Sequence, residues 1–407
     1  MKINLKEAKQ ILLVIRCKTL GSLLVMINIY SYTLLKKLNY IGGRKYNLVW
    51  YLEKLDQNSQ INGDRREEII TKQCLLIGKT RFVIKGSGIS LNIYSENKSE
   101  LEKTFTTYFL QEEAIGFVVK ETKKSLTLRQ EVSSVAYLQG CYISLLNPAS
   151  ENWMHFISEV LPICSKINEK YSNLNVGIII DEHIPTQAKD LIRMLLPQHQ
   201  IIEVIKGVVI RVEELITPLT QSAYCGFWPR SKGDEIGDYN FCEEAIRHIK
   251  DEIDRSAIKA SYQKKLVVKR NSHRVIENQN ELLNLLEQQG FQVIEPEKNS
   301  IEENLKQFNS ATVVVAQAGA AVANMIFMPK GSTMICLVAN SKYSNAGYFE
   351  DFARICEVDI KFLFGRVIRP ERYTTEALFD CHHPMNAIFS VSEEDVIRQI
   401  NDLSHGF

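Results

Sequence analysis

The sequence predicts an α/β fold in which strands alternate with helices. Short apolar runs and helical stretches alternate regularly from residue 265 to residue 364, and the same alternation appears earlier, in residues 141–196. The chain has 407 residues, of which 45% are hydrophobic and 24% are charged, so it can build two packed cores. We therefore expect two α/β domains.

The C-terminal domain, residues 260–390, has the clearest pattern. Its predicted strands lie at 265–268, 291–294, 312–315, 333–338 and 358–364. Helices are predicted between them at 278–289, 300–309 and 319–327, with one more after the fourth strand. Repeated strand–helix units form a doubly wound parallel sheet, whose ligand crevice lies at the carboxyl ends of the strands. A last helix, in residues 392–407, is expected to pack across one of the two domains.

The N-terminal α/β domain is predicted to cover residues 73–240. Short strands fill its first part up to residue 146, and a helix capped by Ser150 then runs to about Tyr171. The next elements are a buried strand, a helix and, beyond the domain, a long charged helix, at 176–180, 186–196 and up to Arg255. A stretch rich in Gly, Pro and aromatic residues, 224–237, marks the domain boundary.

The first 47 residues are both basic and apolar. They hold nine Lys or Arg against one acid, Glu7, a local net charge of +8 in a chain whose net charge is +1. Residues 19–35 are uncharged and lie between Lys18 and Lys36, but they barely reach the roughly 17–25 residues of a spanning helix. Three alternatives stay open: an interfacial helix on anionic lipid, which the basic flanks favour, a membrane span, or a helix packed on the protein.

The nine cysteines indicate a reducing compartment, because they are odd in number, scattered and never spaced as C-x-x-C. Together with the basic segment, they predict a cytoplasmic protein held at the cytoplasmic face of a membrane. Residues 381–383, Cys-His-His, offer too few ligands for a structural zinc site, so a loop is the simpler interpretation. The nearly neutral net charge argues against a nucleic-acid partner.

The turn after the predicted strand 312–315 is built from small residues. This small-residue turn, residues 316–324, reads AQAGAAVAN. Small side chains let the N–H groups at a helix start approach an anion such as a diphosphate. Tight packing of a helix on its sheet explains the same residues, and both interpretations stay open. The spacing is not G-x-G-x-x-G, so a nicotinamide enzyme is disfavoured.

A basic loop follows the predicted strand 265–268. It contains Lys269, Arg270, His273 and Arg274. At the carboxyl end of a central strand, Arg side chains can hold phosphate oxygens in bidentate fashion. The alternative is a solvated basic turn. Two features that attract anions on neighbouring strands favour a nucleotide diphosphate between them.

A third candidate site combines a histidine with a carboxylate. His155 and Glu159 are four residues apart on a predicted helix and share one face. A carboxylate orients the imidazole and supports its charged form, so the pair can serve as a general base. The alternative is a structural histidine.

Taken in order, these segments resemble glycosyltransferase family 61. Residues 152–162 match the family's Asn, His and closing Leu-Pro. Further along, a strand that ends in Arg, with a second Arg and an Asn after it, is matched by Arg270, Arg274 and Asn278. The small-residue turn and its continuation are matched by Gly319, Ala320, Asn324, Phe327, Pro329, Gly331 and Ser332.

The resemblance implies a GT-B fold: two Rossmann-like domains facing across a cleft, with the donor in the C-terminal domain and the acceptor in the N-terminal one. It also implies an inverting hexosyl- or pentosyltransferase that needs neither metal nor cofactor, in which cations and a helix dipole stabilise the leaving diphosphate. The implied donor-binding residues are Lys269, Arg270, Arg274, Gly319, Ala320 and Asn324. His155 is the implied base, positioned by Glu159.

Two positions depart from the family pattern. Ala318 stands where His is common, and Cys336 stands where an acidic residue often follows the Gly-Ser turn. Donor contacts through those side chains are therefore not carried over, whereas the backbone of Gly319 and Ala320 keeps its role. The departures support an alternative, a non-catalytic glycan-binding or assembly protein that keeps the fold. A second alternative is a nucleotide-binding enzyme of unrelated chemistry, since fold alone does not determine function.

The Ala-Gly-Ala form of the turn is similar to that of bacterial members that look like capsule or surface-polysaccharide enzymes. The expected partners are then a nucleotide sugar and a glycan or lipid-linked oligosaccharide acceptor. An anionic membrane surface is a further expected partner.

Overall fold

The structure is a computed structural model. It describes residues 44–48, 68–78, 80–85, 88–91, 118–122, 125–128, 134–218, 223–224, 239–256, 264–271, 276–340, 346–369 and 388–404. The chain divides into two compact units. Unit 1 comprises Met1–Glu151, Lys166–Ile184 and Leu196–Gln221. Unit 2 comprises Asn152–Ser165, Pro185–Leu195 and Ser222–Phe407.

Unit 1 is built on a ten-stranded mixed sheet. Its strands are β1 Arg44–Leu48, β2 Glu68–Ile77, β3 Phe82–Lys85, β4 Gly88–Leu91, β5 Val118–Thr122, β6 Ser125–Leu128, β7 Ala136–Ser144, β8 Val176–Asp181, β9 Ile201–Val204 and β10 Val209–Pro218. They lie in the order β5-β6-β1-β4-β3-β2-β10-β7-β8-β9. β10, β7, β8 and β9 form a parallel set. β2, β3 and β4 follow one another through short connections and pair antiparallel, whereas β1 pairs parallel with β4.

The strand β7 joins two runs that the sequence pattern separates, 135–138 and 141–146. Gly140 lies between them with φ of +104°, a conformation that favours glycine. Opposite it, the register of β10 shifts between Val212 and Glu214. The glycine therefore carries the chain through an irregularity in one continuous strand.

Unit 2 contains a six-stranded sheet in the order β14-β13-β15-β16-β17-β18. Its strands are β13 Lys264–Val268, β14 Phe291–Ile294, β15 Ala311–Gln317, β16 Thr333–Ala339, β17 Asp359–Arg369 and β18 Ile388–Ser390. The first five are parallel, and β18 pairs antiparallel with β17. A separate two-stranded pair is formed by β11 Ala223–Tyr224 and β12 Tyr239–Asn240. The predicted α/β class is confirmed, and the predicted strands of this unit are found with boundaries shifted by a few residues at most ends.

Helices connect the successive parallel strands of unit 2, and further helices precede and follow the sheet in the sequence. They are Thr186–Leu195, Glu243–Ser256, Gln279–Gln288, Ile301–Asn309, Ala346–Cys356 and Glu393–Ser404, with 3₁₀ turns at Pro296–Lys298 and Ala320–Phe327. Ser300 starts one of them with a complete capping box: its hydroxyl accepts the Glu303 N–H at 3.2 Å, and the Glu303 carboxylate accepts the Ser300 N–H at 2.8 Å. Valine-rich strands fit because β15 is covered on both faces, and Val314 and Val315 are fully buried.

The helix that is predicted to open at Ser150 begins instead at Trp153. Asn152 caps it, because its side-chain oxygen accepts a backbone N–H of the first turn at 3.0 Å. Ser150 lies in the turn before the helix, and its hydroxyl donates to the buried carboxylate of Asp181 at 2.8 Å. From here on, residues 153–171 are called the histidine helix.

Part of the predicted basic N-terminal segment is already in the sheet, since β1 begins at Arg44 and pairs with β6 and β4. The apolar stretch 19–35 lies outside the described residues, and so do the cluster 381–383 and Arg274. Among the helices that the structure describes, none has the length and apolarity needed to cross a membrane.

Candidate functional site

The carboxyl ends of β13 and β15 lie side by side in unit 2. The two strands are parallel neighbours, with Val267 opposite Val315. The basic loop follows β13 and the small-residue turn follows β15. The topology therefore brings these two sequence features to the same edge of one sheet, as their positions along the chain predict.

Arg270 is the cation of the basic loop whose surroundings most favour an anion. Its guanidinium is largely buried, which lowers its pKa, while the Glu297 carboxylate opposes that effect. Its Nε atom is buried and has no hydrogen-bond partner among the residues that the structure describes. A permanently charged group in such surroundings favours an anionic partner.

The peptide group of Arg270 is held by the amide of Gln279. Arg270 N donates to Gln279 Oε1 at 3.2 Å, and Gln279 Nε2 donates to Arg270 O at 3.1 Å. Just after the end of β13, the Gln279 amide therefore makes the pair of backbone hydrogen bonds that an adjacent strand would make. Gln279 is not among the residues that the sequence patterns single out. Its only sequence signal is an amide side chain in the first turn of the helix after a candidate anion loop.

Acidic side chains lie close to the basic loop. Asn271 donates to Glu295 and, at 3.3 Å, to Glu297. Lys298 lies 2.6 Å from the Glu295 carboxylate, and these hydrogen bonds, first to Lys298 and then to Asn271, lower the pKa of Glu295. The local charge is therefore mixed, which differs from a simple solvated basic turn.

The small-residue turn begins with a backbone conformation that only glycine adopts readily. Gly319 has φ of 150° and ψ of −160°. The helix expected after it is a 3₁₀ helix, Ala320–Phe327, whose Val322 N donates to Gly319 O at 3.1 Å. The first N–H groups of such a helix have no carbonyl three residues earlier within it, so they can serve an anion.

Asn324 lies inside this 3₁₀ helix and is 2% exposed. Its Oδ1 accepts the indole N–H of Trp153 at 2.9 Å, and its Nδ2 donates to Ala321 O at 3.0 Å. Both polar atoms of the side chain therefore have partners in the protein. The donor contact that the resemblance implies for Asn324 stays a prediction.

His155 and Glu159 meet as their spacing predicts. His155 Nδ1 lies 2.5 Å from Glu159 Oε1, with side-chain exposures of 15% and 3%. Glu159 belongs to a π-helical turn, Phe156–Val160, which interrupts the histidine helix. Such turns are rare and often mark functional positions. The Nδ1 atom of the imidazole therefore faces the Glu159 carboxylate, which orients the ring.

The start of the histidine helix belongs to unit 2. Residues 152–165 group with the strands of unit 2, whereas the domain boundaries expected from the sequence place them in the N-terminal domain, 73–240. His155, Glu159, Lys269, Arg270 and the small-residue turn are therefore all in one compact unit. Sequence order alone cannot reveal this, because the residues that follow, from 166 to 184, return to unit 1.

The two departures from the family pattern have different environments. Cys336 lies in β16 and is completely buried, which raises the pKa of its thiol well above its usual range. Such a thiol acts as a small apolar side chain. Ala318 is half-buried at the start of the turn, and its N–H donates to Leu337 O at 2.9 Å. Among the described residues, no group of three or more His, Cys, Asp or Glu is arranged to hold a metal ion.

Comparison with known proteins bears on the histidine helix, the basic loop and the small-residue turn together. No curated protein matches the chain. Residues 153–335 match the family model described as Glycosyltransferase 61, a stretch that begins at the histidine helix and ends in β16. This match covers somewhat less than half of the chain, and it supports the resemblance to that family of glycosyltransferases.

Proposed function

We propose that the protein transfers a sugar from a nucleotide-sugar donor to a glycan or glycolipid acceptor. The observation that carries this proposal is the pairing of β13 with β15, which sets the Arg270 loop and the small-residue turn at one sheet edge. Arginine supplies charge and bidentate hydrogen bonds, and the helix start supplies backbone N–H groups. Together they suit the diphosphate of a nucleotide sugar.

On the donor side, Arg270 and Arg274 are proposed to hold the diphosphate, with Lys269 assisting. The buried Nε of Arg270, which has no hydrogen-bond partner among the described residues, supports this role. Gly319 and Ala320 are proposed to approach the diphosphate through their backbone, which needs no side chain. Donor stabilisation then requires no metal, because fixed cations and N–H dipoles balance the charge of the leaving group.

On the acceptor side, His155 is proposed as the general base. It would take the proton of an acceptor hydroxyl, whose oxygen then attacks the anomeric carbon as the bond to the diphosphate breaks. The proton remains on the imidazole, where the Glu159 carboxylate stabilises the positive charge. One base opposite the leaving group gives inversion. The proposed base and the proposed diphosphate-binding residues all belong to unit 2.

The wider setting is part of the same proposal. We propose that units 1 and 2 are the two domains of a GT-B enzyme and that the acceptor is a surface or capsular glycan, including one linked to lipid. The basic N-terminal segment would hold the enzyme at the cytoplasmic face of a membrane. The sugar transferred, a hexose or a pentose, follows from pocket side chains that the resemblance does not define.

A thermal-shift panel of nucleotide sugars and free nucleoside diphosphates tests the donor site. A ligand at about 100 times its Kd raises the free energy of unfolding by about 2.7 kcal/mol. One nucleotide family is expected to raise the Tm of the wild type, and Arg270→Ala to lose that rise. Arg398→Ala is the matched control, since Arg398 is exposed and, within the described part of the chain, pairs with Asp395 three residues earlier.

A non-catalytic glycan-binding protein is the second candidate, because Ala318 and Cys336 replace the usual family residues. It predicts binding of the glycan without release of nucleoside diphosphate from any nucleotide sugar. A ligand-induced rise in Tm, accompanied by nucleoside diphosphate release that needs both acceptor and His155, would exclude it. No rise with any nucleotide would favour it over the transferase.

A further inference from the structure

A hydrogen bond joins the first turn of the histidine helix to the small-residue turn. Trp153 Nε1 donates to Asn324 Oδ1 at 2.9 Å, across 171 positions of the sequence. On its other side, Asn324 donates to Ala321 O at 3.0 Å. The Asn324 side chain therefore connects the indole to the backbone of the residue that follows Ala320.

The indole is also held by its ring. It stacks on Phe156, with ring centroids 5.5 Å apart and planes 24° apart, and lies 6.3 Å from the Phe327 ring. His155 stands between Trp153 and Phe156 in the sequence. Anchoring the residues on both sides of His155 sets the rotation of this helical turn, and hence the direction in which the imidazole leaves the backbone.

We propose that Asn324 is a positioning residue, which acts through Trp153 to place the His155 imidazole relative to the small-residue turn. The inference rests on the proposed function, in which His155 takes the acceptor proton and the turn receives the donor. Both partners must be placed to within a fraction of an ångström for the transfer, and one hydrogen bond between them does this directly. Direct donor contact by Asn324 is the competing role.

Other bonds hold the histidine helix farther from His155. Ser158 shares a hydrogen bond of 3.2 Å with the Tyr348 hydroxyl, and Ser165 Oγ lies 2.5 Å from His248 Nδ1. Ser165 is ten residues beyond His155, so loss of its bond is expected to change stability without turning the imidazole. It therefore provides a matched control for the loss of a hydrogen bond on the same helix.

The test compares Trp153→Phe, Asn324→Leu, the double variant and Ser165→Ala in steady-state kinetics with the donor that the panel identifies. Trp153→Phe keeps the aromatic ring and removes only the N–H donor. We expect each of the first two variants to lower kcat about tenfold, with the donor KM changed less than about twofold. The double variant should lose little more than either single one, because both remove the same bond. Ser165→Ala should keep its kcat.

Two kinetic outcomes would overturn the inference. If Asn324→Leu raises the donor KM and Trp153→Phe does not, Asn324 is a donor contact. If both variants lower the Tm while kcat per folded molecule is unchanged, the bond is structural only. Circular dichroism and Tm on the same samples establish the folded fraction.

A chemical arm is independent of turnover, so it separates this inference from the proposed function. The carbethoxylation rate of His155 by diethyl pyrocarbonate is measured by mass spectrometry, with the exposed His183 as internal reference. We expect Trp153→Phe and Asn324→Leu to change the His155 rate several-fold and Ser165→Ala to leave it unchanged. An unchanged His155 rate in all variants would overturn the positioning role, whether or not the wild type transfers sugar. Absence of transfer by the wild type would contradict only the proposed function.

Discussion

At the scale of single residues, two neighbouring amide side chains each hold the backbone of a residue in another segment of the chain. Gln279 bonds both the N–H and the carbonyl of Arg270. Its neighbour Asn278 does the same for Val391, donating to its carbonyl at 2.9 Å and accepting its N–H at 3.2 Å. The Asn of the family pattern thus joins the helix start to the chain after β18. Gln279, outside that pattern, faces the arginine.

Replacing Gln279 by Leu is expected to weaken nucleoside diphosphate binding about tenfold, since the Arg270 guanidinium loses its backbone support. The lost hydrogen bonds should also lower the free energy of unfolding by about 1 kcal/mol. Isothermal titration calorimetry measures the affinity. Gln288→Leu, at the exposed far end of the same helix, is the control. A drop in Tm with unchanged affinity would show that Gln279 has no part in binding.

At the scale of elements, the small-residue turn combines a glycine, in a conformation that other residues adopt only with strain, with a long 3₁₀ helix. Runs of 3₁₀ helix beyond three or four residues are uncommon, yet Ala320–Phe327 has eight. Asn324 bonds within it and to Trp153, which supplies tertiary support that local propensity lacks. The first N–H groups of such a helix have no carbonyl three residues earlier within it to accept them.

Gly319→Ala is expected to abolish nucleotide binding and to lower the free energy of unfolding. An alanine at φ of 150° and ψ of −160° costs about 1–3 kcal/mol, so the turn should relax and its N–H groups should move. Gly290 provides the control: it has φ of +82°, open space around its Cβ position, and lies before β14 at the opposite end of the strands. Gly290→Ala should lower the Tm but keep the nucleotide-induced shift. Equal shifts in both variants would contradict the anion role of the turn.

At the scale of the whole molecule, the basic N-terminal segment bears on where in the cell the protein is held. The structure refines where the segment can be cut, because β1 begins at Arg44. Residues 1–43 still hold seven of its nine basic side chains. Juxtamembrane lysines contribute about 1 kcal/mol each at an anionic surface, and salt screens them.

Deletion of residues 1–43 is expected to release the protein from vesicles that contain anionic lipid. Co-sedimentation with phosphatidylserine vesicles at low and high salt measures this, and vesicles of neutral lipid are the control. The full chain should bind only the anionic vesicles, and less at high salt. Equal binding by the truncated protein would reject membrane attachment through this segment.

Much of unit 2 follows from the sequence, because its five parallel strands each contain a short apolar run and a helical segment connects each of them to the next. Parallel neighbours then bring the loops after β13 and β15 together without further information. In unit 1 the same reasoning finds β8 but misses β10, Val209–Pro218, the strand that joins its parallel and antiparallel parts. Charged residues interrupt the apolar pattern of β10, and only its pairing with β2 and β7 defines it.

The sequence by itself determined the α/β class, the order of the strands along unit 2, the His155–Glu159 pair and the resemblance to glycosyltransferase family 61, since all of these depend on local patterns and spacings. The tertiary structure decided that the start of the histidine helix groups with unit 2, that Trp153 bonds Asn324, that Gln279 holds Arg270, and that the turn is a 3₁₀ helix. These features depend on residues far apart in the chain, and which of them meet is settled only when the whole core packs.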